Sequence, residues 1–417
     1  MNLIINNIKE IFGLEYSPRM LLKGKEMGEL LKISDAFIVV RDGLISSFGE
    51  MNTQEYIDFM QQSVHYKVVD AENGLLFPSF CDSHTHLVYP SSREIEYIDK
   101  INGLSYEEIA KRGGGILNSA SKMQTVSETE LYEAAWQRLE EIADFGTGAV
   151  EIKSGYGLTT ESELKMLRVI RRLKETSELT IKSTFLGAHA VPKEYQGKQH
   201  EYVDLIINEM IPMVASEELV DFIDVFCDKG FFTEEDTDRI LNAGMKYGLR
   251  PKIHANELAR SGGIQIGVKY NALSVDHLEY TEDDEIEALL GSDTMPTILP
   301  GAAFFLNMPY APARRMIDAG LPIAMASDFN PGSSPSGNMQ LILSMASILY
   351  RLTPEEGINS TTLNGAYAMD LSHELGSIAI GKKANFFITY PIPGLAYLPY
   401  YYGTNKVRKT ILNGIVR

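Results

Sequence analysis

Only two cysteines, Cys81 and Cys227, occur in the 417 residues, each inside an apolar stretch. Two such residues make no disulfide framework, so a reducing, cytoplasmic setting is expected, with both thiols filling core. Long hydrophobic runs are also missing. No stretch approaches the roughly 18 apolar residues of a spanning helix, so no membrane partner is expected. The opening Met1-Asn2-Leu3-Ile4-Ile5-Asn6-Asn7-Ile8-Lys9-Glu10 lacks the uninterrupted apolar core of a secretory signal. The sequon Asn359-Ser360-Thr361 is therefore a chance match. Positive charge is scarce, with 38 Lys+Arg against 56 Asp+Glu and a net charge of −18. Such a surface repels polyphosphate, which argues against nucleic-acid binding, and an anionic small substrate would need a local basic pocket. Several catalytic signatures are absent as well. No Gly-x-Ser-x-Gly elbow occurs, and no Gly-Lys-Ser/Thr follows Gly113-Gly114-Gly115, which is read as a rim segment over the substrate. Ser119-Ala120-Ser121-Lys122 lacks the Ser-Asp-Asn and Lys-Thr-Gly partners of an acyl-enzyme.

What is present is an alternation of short β-rich runs with amphipathic helical stretches. Eight strand candidates fall at 75–82, 148–153, 180–186, 222–226, 250–253, 272–275, 294–299 and 321–326. Helical patterns at 160–176, 201–215, 233–247, 283–290, 310–319 and 337–349 lie between or after them. Met339, Leu343 and Ala346 in the last are read as core. Serial strand–helix units predict a parallel sheet, and eight of them favour a closed (β/α)₈ barrel over an open doubly wound sheet. The ends differ in texture. Short strands at 37–40, 44–48 and 67–69 are matched by 385–390 and 407–412 in the tail, so both ends are expected to pair into one small β domain.

Chemistry concentrates at the predicted strand ends. His84-Thr85-His86 closes the first strand, and residues i and i+2 of an extended chain share a face. Alone, a His-x-His pair is weak. Yet His189 follows the third strand, His254 closes the fifth, His277 the sixth and Asp328 the eighth. In a barrel these ends meet at one rim, where active sites of the fold sit. The other three of the eight histidines, His65, His200 and His373, are read as surface or structural. Imidazoles with a carboxylate suit Zn²⁺ or Fe²⁺ rather than an oxygen-seeking ion, and leave room for a water of lowered pKa. Lys153, at the end of the second strand, is the one candidate for a bridging lysine; without a bridge the site is mononuclear.

These residues resemble the amidohydrolase superfamily and, within it, the imidazolonepropionase family of histidine degradation. The likeness is carried by Gly113-Gly114-Gly115-Ile116-Leu117, Glu151-Ile152-Lys153-Ser154-Gly155-Tyr156-Gly157-Leu158, Phe185-Leu186-Gly187-Ala188-His189-Ala190-Val191-Pro192 and Asp328-Phe329-Asn330-Pro331-Gly332-Ser333-Ser334-Pro335. Gly376-Ser377-Ile378 and Gly381-Lys382-Lys383-Ala384-Asn385 are similar to the superfamily's return into its small domain. The sequence departs from the family at Tyr89-Pro90 and at Asn256, which stands in place of an acidic residue. The resemblance implies an α/β fold: a (β/α)₈ TIM barrel of the metal-dependent hydrolase type (75–368), with a small β-sandwich domain from both termini (1–74 and 369–417). It further implies hydrolysis of the cyclic amide of 4-imidazolone-5-propanoate to N-formimidoyl-L-glutamate, and a homodimer.

Under that resemblance His84, His86, His254 and Asp328 hold one divalent ion per subunit, zinc or iron, and Asp328 doubles as the base. Glu257 shuttles protons, and His277 polarises the scissile carbonyl or orients the water. Arg93 grips the propanoate, because a guanidinium binds a carboxylate bidentately; spacing alone would equally allow a surface arginine. Tyr156, His189, Asn330, Gly332 and Ser333 are expected to contact the ring or the carboxylate. Two other readings stand beside this one: a deaminase on the same fold, since His254-x-x-Glu257 also serves deamination, and a non-catalytic metal-binding scaffold.

Overall fold

A computed structural model describes residues 2–104, 108 and 114–417. Eight parallel strands form the larger unit: β1 (Phe80–Thr85), β2 (Thr147–Lys153), β3 (Thr180–Ala188), β4 (Phe222–Cys227), β5 (Arg250–Ala255), β6 (Ser274–His277), β7 (Met295–Ile298) and β8 (Ala324–Met325). Each pairs with the next, and every residue of β2, β4 and β6 is buried. That near-continuous burial is what a sheet wrapped in helices demands. β8 is only two residues long, so closure relies on its continuation. Asp328 N–H donates to the carbonyl of His84 at 3.0 Å, and His86 N–H to that of Phe329 at 2.9 Å. Below them the Asp82 carboxylate accepts from Ser327 N–H at 2.9 Å, tying the first strand to the last.

The expected run 75–82 is in fact two strands. Leu75–Pro78 belongs to the small sheet, pairing with Phe386–Thr389 and Leu3–Phe12, and the chain crosses at Ser79 into β1. An unbroken apolar run hides such a crossing, because burial in either unit looks the same in sequence. The small sheet orders Ile415–Val416, Val407–Leu412, Phe386–Thr389, Leu75–Pro78, Leu3–Phe12, Lys32–Arg41 and Leu44–Glu50, with Lys67–Asp70 also on Leu3–Phe12. It curls back on itself: Ala384 N–H reaches the Gly43 carbonyl at 2.8 Å, and Ile45 N–H that of Lys382 at 2.9 Å. Leu3, Ile5, Ile38, Val40, Leu76, Phe386, Ile388 and Ile411 fill the space enclosed. Both chain ends therefore build one unit, as expected.

Helices follow the strands and pack apolar faces on the barrel. Thr160–Thr176 is capped by the Thr159 side chain, which accepts from Ser162 N–H, and it buries Leu164, Leu167 and Ile170. The predicted helix 201–215 is broken by one π-helical turn, Ile206–Met210. Met339, Leu343 and Ala346 are buried as expected. Cys81 and Cys227 are buried and free. His65, His200 and His373 are exposed. Among the described residues no helix is long and apolar enough to cross a membrane.

Candidate active site

At the C-terminal mouth of the barrel a cavity of about 520 Å³ is lined by His86, Arg93, Tyr156, His189, His254, Glu257, His277, Asp328, Asn330, Gly332 and Ser333. Of the candidate metal, catalytic and substrate residues, His84 alone is not in its wall; it lies fully buried. The fold thus gathers every one of them.

The deepest part is an imidazole cluster. The nitrogens of His84, His86 and His254 lie within 4.8 Å of one another. Nε2 of His254 is 3.4 Å from Nε2 of His86, and Asp328 Oδ1 is 3.6 Å from His84 Nε2 and 3.7 Å from His86 Nε2. A tetrahedral ion with Zn–N bonds of about 2.0–2.1 Å separates its donors by about 3.4 Å, so the spacing fits a divalent ion. Protonation fits too. His84 Nδ1 is 2.6 Å from Asp276 Oδ2, and His254 Nδ1 is 3.0 Å from Asp224 Oδ2. Asp276 accepts the Nδ1 proton of His84 and leaves its Nε2 lone pair aimed inward, while Asp224 lies beside His254 Nδ1 and accepts from the His254 backbone N–H at 3.2 Å. Burial and the neighbouring imidazoles hold His84 and His86 well below the usual histidine range, hence neutral. His84 Nε2 and Asp328 Oδ1 are buried with no hydrogen-bond partner among the described residues. Buried polar atoms left unpartnered around one point are what an ion would satisfy.

Beneath the histidines lies a layer of charge of which the sequence singled out only Lys153. Lys153 Nζ donates to Glu151 at 2.6 Å and to Asp224 at 2.8 Å, and lies 3.8 Å from Asp276. Lys252 bonds Glu151 and the Ser83 carbonyl, the latter at 2.9 Å. Burial opposes the charge on Lys153, but Asp224, Glu151 and Asp276 outweigh it and raise its pKa. The ammonium is thus committed to Glu151 and Asp224, the latter beside His254. A signal was available: Asp224 interrupts the apolar run Phe222-Ile223-Asp224-Val225-Phe226, and Glu151 and Lys153 alternate along β2. Charges in strands buried on both faces need partners inside the barrel.

Loops position the remaining walls. Glu163 accepts from the N–H groups of Gly155, Gly157 and Leu158 at 3.1, 2.7 and 2.9 Å, which shapes the turn that places the Tyr156 ring 5.8 Å from that of His86. Gly155 has φ +107°, and a Cβ there would stand 2.8 Å from His189 Nδ1. His189 Nδ1 is 2.9 Å from the Gly155 carbonyl. A carbonyl only accepts, so Nδ1 carries the proton and Nε2 is left as an acceptor. Burial pushes His189 down to about 3, so the ring is neutral. Asp228, another residue sequence reasoning missed, accepts from Glu257, Leu258 and Ala259 N–H and sets the loop carrying Glu257. Burial, then Asp328 and Asp228, raises Glu257 well above the carboxylate range. His277 Nε2 is 3.7 Å from Glu257 Oε2.

Arg93 donates through Nε to Glu96 at 2.8 Å, and its guanidinium lies against Gly332, where a Cβ would meet Nη1 at 2.4 Å. Asn330 departs from expectation. Its amide donates to the Asp328 carbonyl and Ser333 Oγ, and accepts from Gly332 and Ser333 N–H, each at 2.7–2.8 Å. Those donors are spent within the loop, so Asn330 shapes it and Ser333 Oγ, 3.4 Å from Asp328 Oδ2, is the polar group left facing the cavity. The two departures from the family pattern pack without conflict. Tyr89 stacks under Arg138, 3.4 Å from ring centroid to guanidinium, and Asn256 sits at φ +56°, a region asparagine tolerates. Gly115 N–H donates to Glu96 at 3.1 Å, whereas Gly113 of the glycine segment lies outside the described residues.

A parallel barrel with three histidines and an aspartate converging at its mouth defines the class of metal-dependent hydrolases. A model of the amidohydrolase family matches residues 75–416. "Imidazolonepropionase" of Christiangramia forsetii is 52% identical over 99% of both chains, and that of Thermoanaerobacter pseudethanolicus 40% over 98% of this chain and 96% of its own. Among solved structures, a triazine hydrolase variant superposes with a TM-score of 0.75 at 15% identity, covering 100% of this chain and 94% of its own. A zinc-bound adenosine deaminase from Xanthomonas campestris scores 0.72 at 15% identity, covering 99% and 92%; at such identities the likeness is one of fold. The chain belongs to the amidohydrolase family, among its imidazolonepropionases.

Proposed function

We propose that this hydrolase opens the cyclic amide of 4-imidazolone-5-propanoate to N-formimidoyl-L-glutamate in histidine degradation. The observation carrying the reading is Arg93: on a chain of net charge −18, a guanidinium faces the same cavity as the imidazole cluster. A propanoate side chain needs such a fork. A base deaminase does not, although a guanine deaminase shares the fold at a TM-score of 0.72 and 14% identity.

One ion per subunit, zinc or iron, is held by His84, His86, His254 and Asp328. When bound it supplies a water of lowered pKa and a Lewis acid for the amide carbonyl. Asp328, which burial raises to about 7, takes a proton from the attacking water. Glu257 carries a proton to the leaving ring nitrogen, and His277 donates through Nε2 to the carbonyl oxygen. Arg93 binds the propanoate, Tyr156 and Ser333 offer hydroxyls, and His189 Nε2 accepts from a ring N–H. Asn330 and Gly332 hold the Asp328 loop and seat Arg93. The enzyme works as a cytoplasmic homodimer, its small domain and barrel dividing at Ser79 rather than between residues 74 and 75, and again near residue 369.

The test follows consumption of imidazolonepropanoate by the purified protein before and after chelation. Turnover that stops on chelation and returns with Zn²⁺ or Fe²⁺ is expected. No turnover by metal-loaded protein, or an equal rate after chelation, would overturn the reading.

A further inference from the structure

A second cavity, of about 270 Å³, borders the first, and none of the roles above uses it. Arg93, Tyr97, Phe305 and Gly332 line both, so they form the partition between the two. Arg93 stands at the N-cap of helix Glu94–Ile101, and Tyr97 follows one turn later, where the helical period keeps it on the same face. Phe305 comes from helix Pro300–Leu306, just after β7. The two rings stack, with centroids 5.4 Å apart and planes inclined by 29°. Lys100, also in the wall of the larger cavity, donates through Nζ to the Phe305 carbonyl at 2.8 Å. Helix Glu94–Ile101 buries none of its own residues. Core packing therefore does not fix it, and its position depends on contacts of this kind.

We infer that the Tyr97–Phe305 stack, latched by Lys100, determines specificity for the length of the substrate's acid chain. It is the wall at the carboxylate end of the side-chain subsite. The inference deepens the reading above and rests on Arg93 as the grip on the propanoate. The stack stands one helical turn from that guanidinium, so a chain reaching Arg93 from the imidazole cluster ends against it. An acid with one or two further methylenes has to push past Arg93 into the rings. Room for it lies only beyond them, in the second cavity, walled by Tyr89, Pro331 and Pro335. Taking away a ring joins the two spaces. Arg93 borders both, so it stays within reach of the longer acid.

The chemistry of the pair suits a wall. Each ring turns on two torsions only, and an offset stack holds both flat against one another. One methylene too many or too few in an apolar pocket changes selectivity about 10- to 200-fold, so a rigid end wall suffices for a sharp cut-off. The ammonium of Lys100 lies 5.6 Å from the Phe305 ring centre and is committed to the carbonyl behind that ring, which ties the two helices together across the partition. Tyr97 is 47% exposed and Phe305 half-buried, so truncating either removes little core and the variants should fold.

Two chain-length series test it, one independent of turnover. Imidazole-4-propanoate, -butanoate and -pentanoate carry no amide to cleave. By calorimetry on zinc-loaded protein, their affinity should fall about tenfold or more with each added methylene, and the fall should flatten in Phe305→Ala. In steady-state kinetics, Phe305→Ala should narrow the kcat/KM ratio of 4-imidazolone-5-propanoate to its 5-pentanoate homologue by about tenfold or more, chiefly through a lower KM for the longer acid. Tyr97→Ala should act alike, Tyr97→Phe should hold the native ratio, and Lys100→Met should narrow it by a smaller factor. Unaltered protein that takes all chain lengths equally, or a ratio unmoved in Phe305→Ala and Tyr97→Ala, would overturn the inference. So would Lys100→Met weakening short and long acids by the same factor, which would make Lys100 a cation for the carboxylate and no latch. Should Phe305→Ala fail to fold, Tyr97→Ala decides. Chain-length selection in binding without turnover of either imidazolone would instead strike at the reaction assigned above and leave the wall standing.

Discussion

Arg93 presents its fork to the cavity because Glu96 takes only Nε and because residue 332 has no side chain to displace it. Arg93→Ala should therefore raise KM about 10²-fold and leave kcat within a fewfold, since the carboxylate is held alike in ground and transition states. Gly332→Ala should act in the same direction more weakly, because the flexible arginine can retreat from a Cβ that would stand 2.4 Å from Nη1. Steady-state kinetics separate the two; a fall in kcat alone would place Arg93 elsewhere. Burial pushes the Cys81 thiol up to about 12 and Cys227 to about 11. Raised values leave almost no thiolate at pH 8, so native protein should resist a disulfide reagent there and titrate two thiols only once unfolded.

Strands β2, β4, β5 and β6 each carry a charged side chain into the barrel, and Lys153 joins three of those carboxyls. Replacing it by Met leaves Asp224 without its ammonium, while Glu151 keeps Lys252. Removing one member of a buried pair typically costs about 3–5 kcal/mol, so the denaturation midpoint should fall steeply. Metal content should fall with it, because Asp224 and Asp276 orient His254 and His84. Thr233→Ala offers the contrast. Thr233 forms a capping box with Asp236 on helix Glu234–Met245, and its loss should cost about 1 kcal/mol without altering kcat. At this scale the helix Thr160–Thr176 was legible to the residue, because caps and a 3.6-residue period agree. The strand pair split at Ser79 was not, because apolar runs in two adjoining sheets share one signature.

For the molecule as a whole, the ion should act as a ligand of the folded state. Chelation should lower the melting temperature and restored metal should raise it, by RT ln(1 + [M]/Kd), about 2.7 kcal/mol at a hundredfold excess over Kd. A melting curve indifferent to chelation would mean that the histidine cluster holds no ion. The small sheet makes the chain ends interdependent. Leu3–Phe12 pairs with three strands of that sheet, so it is structural.

The order of residues along the chain carried the barrel, the pairing of both chain ends in one small sheet, and the strand-end histidines with Asp328, whereas Arg93, Tyr156, Asn330, Gly332 and Ser333 came from the family resemblance. Strand–helix alternation repeats eight times, and rare histidines recur at predicted strand ends, so both signals are local and periodic. Only the tertiary structure decided which groups face one another. The Lys153–Asp224–His254 chain, the acceptor state of His189 Nε2, the inward-turned amide of Asn330 and the Tyr97–Phe305 stack depend on contacts between residues distant in sequence or on the exact turn of a loop. Electrostatic and hydrogen-bonding choices of that kind are made by distance and burial, which the order of residues along a chain does not record.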